Sequence, residues 1–204
     1  MRDPTPTASA RRDTPIRIGA VLALAIAIGF VVWLFVRGGD DSSNKATVGP
    51  TPTARTTTSR TTGRKLLTAA SVQTLKTLAA ASGRPIYWAG AKPRTTYELT
   101  RTPDGRIYIR YLPKGVKVGD THASYLIVAT YPVPNAYKAV QTAAKEDGAV
   151  KLKLPGKGLA VYNRNAETNV YFAYPGTSYQ VEVYDPDPLT ARRLVRSGKI
   201  RPVS

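Results

Sequence analysis

The chain has 204 residues, with 30 Lys plus Arg against 13 Asp plus Glu, a formal net charge of +17, no cysteine and one histidine. These counts exclude a disulfide framework, a thiol nucleophile, a cysteine-bound zinc and any multi-histidine metal cluster. So basic a balance points to anionic partners and salt-sensitive association.

Residues 1–15, MRDPTPTASARRDTP, offer nothing to pack and read as a disordered cytoplasmic tail. Residues 16–37 are predicted to form a transmembrane helix. Ile18 to Val36 is a run without charge, and at 1.5 Å per residue it spans roughly 28 Å, close to a bilayer core of about 30 Å. Trp33 falls where indoles favour the interface. The apolar run is too long for a signal peptide, and no small-residue cleavage site follows it. Arg2, Arg11, Arg12 and Arg17 before the span outweigh Arg37 and Lys45 after it. That bias keeps the N-terminus cytoplasmic and puts the rest outside a cell membrane crossed once.

Residues 38–64 are Thr, Ser, Pro and Gly with scattered charge, a flexible linker with an average reach of roughly 30 Å. The absence of cysteine and of any N-x-[ST] acceptor in an external domain suggests a bacterial cell envelope.

From residue 65 the character changes. All twelve tyrosines lie between Tyr87 and Tyr184, and tyrosine with β-branched residues favours pleated surfaces. The expected fold is α+β: an antiparallel-sheet domain over 65–204. Lys65 to Ser82 reads as a helix stopped by Gly83. PIYW is a short strand. TYELTR and RIYIRYL form a hairpin around TPDG, and SYLIVATY is a further strand. A helix follows Pro134, with Asn135 near its start and Gly148 past its end. The pattern then recurs as AVKLKL, a PGKG turn, LAVYN, NVYFAY and SYQVEVY. A closing helix with Asp187 as N-cap and a final strand, KIRPV, occupy 187–203.

The two halves resemble each other. Ser124, Tyr125, Pro132 and Pro134 match Ser178, Tyr179, Pro186 and Pro188 at an offset of 54. Arg101, Tyr108 and Tyr111 match Arg164, Tyr171 and Tyr174 at 63. The change of offset falls in one loop, LPKGVKVGDTHA against PGT. The reading is two pseudo-repeated helix–β–β–β–β units, about 65–131 and 135–184, joined into one sheet about a pseudo-twofold. In architecture alone this is similar to the saddle-like duplicated α+β folds typified by the TATA-binding protein.

Alternation places Ile107, Ile109, Val170, Phe172, Val181 and Val183 on one apolar face that should hold the helices. The opposite face carries Tyr108, Tyr171 and Tyr184 among Arg106, Arg110, Glu98 and Glu182, and is expected to be open. Glu98 and Glu182 on that face could in principle form a glycosidase-like acid pair, although two acids on a solvated face are ordinarily solubilising. His122, with Asp120 and Ser124 nearby, reads as a surface-loop residue, because triad members converge from separate elements. The glycines at PGKG do not follow a phosphate-loop pattern.

The expectation is therefore a non-enzymatic, membrane-anchored extracytoplasmic binding module without cofactor or metal, engaging an anionic envelope polymer or lipid headgroups. Its candidate contacts are Lys114 and Lys117 on the inserted loop, Lys151, Lys153 and Lys157 around the second half's first strand, and Arg106, Tyr108, Arg110, Tyr171 and Tyr184 on the open face. The alternative is an assembly component that meets another envelope protein through the tyrosine face. The predicted topology argues against nucleic acid.

Overall fold

Seven strands between Thr95 and Tyr184 and one from Leu66 to Ala70 build an eight-stranded antiparallel sheet in the computed structural model, which describes residues 66–204. The predicted tail, transmembrane helix and linker lie outside the described residues. Among those described, no helix is long and apolar enough to cross a membrane.

The strands are β1 (Leu66–Ala70), β2 (Tyr87–Trp88), β3 (Thr95–Arg101), β4 (Ile107–Pro113), β5 (Ile127–Pro132), β6 (Ala149–Lys153), β7 (Leu159–Asn163), β8 (Ala166–Ala173), β9 (Tyr179–Tyr184) and β10 (Arg201–Pro202). The helices are α1 (Val72–Ser82), α2 (Ala136–Ala143) and α3 (Pro188–Arg196), and Pro155–Lys157 form a single 3-10 turn. The sheet runs β1-β3-β4-β5-β9-β8-β7-β6, while β2 and β10 pair separately. The α+β class and the large antiparallel sheet agree with the sequence reading.

The helix expected over Lys65–Ser82 is corrected: its first turn and more is strand β1. Ser71 is extended (φ −87°, ψ 167°), and its hydroxyl accepts from the Thr74 backbone N–H at 3.0 Å. That cap starts the helix at Val72. The residues before it pair with β3, Leu66 opposite Arg101 through Ala70 opposite Tyr97. Strand β1, not PIYW, thus occupies the sheet position that mirrors β6.

The strand order reads the same from either edge, with β5 and β9 at the centre. Ladder register refines the sequence match. Ile107 pairs with Thr130, and Val170, its match at offset 63, pairs with Val183. Thr130 and Val183 are therefore equivalent, at an offset of 53 rather than 54. One residue matters, because a slip of one exchanges the faces of a strand. The Ser-Tyr phrase misleads because it begins before β5, in the loop. With the corrected offset Ala129 and Glu182 are equivalent to each other, and they are also directly paired. They mark the pseudo-twofold.

The front face carries Ile109, Val128, Val170, Phe172, Val181 and Val183, which pack with Leu75 of α1, with Ala191, Leu194 and Val195 of α3, and with Ile86, Tyr87 and Trp88 around β2. The Tyr87 ring meets Phe172 edge-on at 5.9 Å, and its N–H donates to the Thr130 hydroxyl at 3.0 Å.

The expectation that all helices share one face is corrected. On the back face Ala129, Tyr131, Val161, Tyr171 and Ala173 form a second cluster with Ala136, Val140 and Ala143 of α2. The two helices that follow equivalent strands diverge where they start. Asn135 before α2 is left-handed (φ 54°), whereas Asp187 before α3 is extended (φ −93°, ψ 108°). Coverage of both faces also sets this architecture apart from a saddle with one bare face.

Candidate functional site

The back face is where the sequence placed an open tyrosine surface. The structure covers it by two different means.

In the second half, α2 lies over β7, β8 and β9. Its Ala136, Val140 and Ala143 pack in one cluster with Ala129 and Ala173 of the sheet. Beneath it Glu182 is buried in the sheet. The Tyr131 hydroxyl donates to Glu182 Oε2. Tyr171 Oη donates to Oε1 at 3.0 Å, and Asn169 Nδ2 donates to the same oxygen at 2.5 Å. Burial raises the Glu182 carboxyl above the usual carboxylate range, against the pull of these donors. Burial first, and then the neighbouring Glu182 charge, push the Tyr131 and Tyr171 phenols well above their ordinary value. The Tyr108 ring meets Tyr131 edge-on at 5.7 Å, and the Arg106 guanidinium sits 5.9 Å from the centre of the Tyr131 ring.

In the first half no helix lies on the back face. The loop from Lys114 to Leu126 covers β3 and β4 instead. Glu98, only 1% exposed, accepts from Arg110 Nη1 at 2.6 Å and from the Gly119 backbone N–H at 2.6 Å. The same guanidinium donates to the carbonyls of Asp120 at 2.8 Å and His122 at 3.0 Å, and stands 5.3 Å from the centre of the Tyr125 ring. Tyr184 donates to the Ala123 carbonyl at 2.6 Å. The inserted segment is thus pinned at four backbone positions by three sheet residues.

The open tyrosine face is therefore corrected, and the predicted contacts divide. Tyr171 is turned inward to hold Glu182. Arg110 and Tyr184 tie down the loop. Arg106 pairs with Asp104 at 2.7 Å, and Tyr108 stays half-buried beside Tyr131. By contrast Lys114, Lys117, Lys151, Lys153 and Lys157 are all exposed. They are not one cluster. Lys151 and Lys153 lie on edge strand β6, five strand spacings from β4, which at about 4.8 Å each is about 24 Å.

Glu98 and Glu182 share the back face but sit three spacings apart, about 14 Å, each in its own buried network. A paired-acid mechanism needs carboxyls within about 5–9.5 Å. The His122 ring contacts Asp120 at 3.0 Å on the exposed surface.

Sequence reading passed over a further group. Arg193, Arg196, Lys199 and Arg201 are exposed along the end of α3 and into β10. The signal was present: residues 188–204 carry five cations and no acid. The remaining cation, Arg192, pairs with Glu167 at 3.3 Å and stacks 4.9 Å from the centre of the Tyr162 ring.

No family model, curated protein or solved structure matches the chain.

Proposed function

We propose that this protein is a non-enzymatic binding module, held at the cell membrane by residues 16–37, whose extracytoplasmic domain engages an extended anionic polymer or lipid surface of the envelope. The observation that carries this reading is how charge is used among the described residues. Their nine carboxylates are largely committed internally: Glu98 and Glu182 are buried, Asp104 and Glu167 are ion-paired, and Asp187 caps α3. Of their twenty Lys and Arg side chains, only Arg106, Arg110 and Arg192 lie within ion-pair distance of a described carboxylate. All of the rest but the part-buried Arg84 are exposed, and they include Lys114 and Lys117 on the loop, Lys151 and Lys153 on β6, and Arg193, Arg196, Lys199 and Arg201 from α3 into β10. Cations spread over so many elements suit a long polyanion or a charged surface better than a small anion. The loop presents Lys114 and Lys117 on a backbone already fixed by Glu98, Arg110 and Tyr184, so little ordering cost attends contact there.

The test is co-sedimentation of the purified protein with isolated envelope polymer and, separately, with anionic liposomes across a salt series. Pelleting at low salt that falls steeply with added salt supports the reading, and the preferred material names the ligand class. Salt-independent pelleting, or none at low salt, overturns it.

A further inference from the structure

The sheet has two free edges among the described residues, and they are built differently. Strand β6 carries Lys151 and Lys153, both exposed. Lysine on an edge is a standard obstacle to strand addition. Strand β1 carries LLTAA and no charge. Its first four residues are exposed, and Leu66 (50%) and Leu67 (43%) are two of the three exposed large apolar side chains in the described chain. In a domain this cationic, an uncharged apolar edge stands apart.

The order of sizes along β1 is also self-complementary. Two leucines precede a threonine, and two alanines follow it. If two copies of β1 pair antiparallel about Thr68, Leu66 falls opposite Ala70, Leu67 opposite Ala69, and Thr68 opposite Thr68. Each large side chain then meets a small one on its own face of the sheet, and the central pair is of a kind favoured across strands. No charge confronts another within the five-residue ladder. A copy offset by two residues would lose both Leu–Ala matches.

We infer that β1 is a self-association edge, where a second copy of this chain pairs antiparallel about Thr68 to continue the sheet across a twofold axis. The inference stands apart from the polyanion reading, since β1 contributes no cation. The partner is identical because the edge is complementary to itself in size and lacks the charge that would select a different one.

The protein has no cysteine, so a single introduced one reports its own neighbour without background. Directly opposed residues have Cα atoms about 4.5–5.5 Å apart, within the range a disulfide spans. The full chain bearing Thr68→Cys, under mild oxidation, is expected to form a disulfide dimer at least tenfold faster than the chain bearing Lys153→Cys at the other edge. Adding Leu67→Lys should reduce that rate to the Lys153→Cys level. A second arm checks register and covers the case where Thr68→Cys disturbs the strand. A mixture of Leu67→Cys and Ala69→Cys chains should form the mixed dimer in preference to either homodimer. Cross-linking at Thr68→Cys no faster than at Lys153→Cys, together with no preference for the mixed dimer, would overturn the inference.

Discussion

The two halves of the sheet solve one problem by different means. Both leave a carboxylate on the back face, Glu98 in the first half and Glu182 in the second, and both bury it. Glu98 is met by a cation, Arg110, and by the backbone of a long loop. Glu182 is met by two phenols and an amide, under helix α2. The helix that strict symmetry would lay over β3 and β4 is α3, which instead packs on the front face against β8 and β9. The twelve-residue loop LPKGVKVGDTHA fills the place it leaves. The lesson is that the insertion is first a cover for the sheet, with Lys114 and Lys117 left exposed on it.

The largest effect should come from breaking the ionic cover. Arg110→Ala leaves Glu98 buried without its partner, and such losses cost about 3–5 kcal/mol. Urea denaturation should register that loss, and limited proteolysis should show new cleavage between residues 114 and 126. A next test sharpens the divergence of the two helix starts. Asn135→Val forces a β-branched residue into left-handed backbone and should cost about 1–2 kcal/mol. Asp187→Ala removes only a side-chain cap and should cost about 1 kcal/mol.

The cover over Glu182 predicts a pH dependence of stability. Burial raises the Glu182 carboxyl. A group whose folded value exceeds its unfolded value, about 4.3 for glutamate, holds its proton longer in the folded state. Its contribution to stability is therefore full below the unfolded value and is lost as pH rises through the folded one. Glu182→Gln cannot ionise. Its stability relative to the parent protein should improve between pH 4 and pH 7.5, read as the difference in urea midpoints. The smallest structural effect belongs to Lys114→Glu with Lys117→Glu. Stability should change by no more than about 0.5 kcal/mol, while polyanion binding weakens.

Much of the architecture was legible in the sequence, because period-two alternation from Thr95 onward assigns strands and faces together. The TPDG turn, the Asp187 cap and the Gly83 stop are local chemistry that tertiary packing did not override. Two things were not legible. Leu66, Leu67 and Ala70 fit a helical stripe as well as a short edge strand, and only pairing with β3 decides between them. The back face was harder. Its Tyr, Glu and Arg residues look solvated when read one strand at a time, and Glu98, Glu182, Tyr131 and Tyr171 become interior only once α2 and the loop fold over them. A hint was available in Ala129, Val161 and Ala173 on that face, opposite the small stripe of Ala136, Val140 and Ala143. The one-residue slip between sequence match and register arose because Ser124 and Tyr125 precede β5, where face alternation does not yet constrain them.

The central proposal is that this domain binds through its exposed cations, while Tyr131 and Tyr171 are interior and hold Glu182. Hydrogen exchange of the intact protein with and without an anionic envelope polymer tests it most directly. The account predicts added protection confined to cation-bearing segments, chiefly residues 114–126 and 193–201, with β5, β8 and β9 unchanged. Protection centred on the strands bearing Tyr131, Tyr171 and Glu182, with none on the loop or the end of α3, would contradict it.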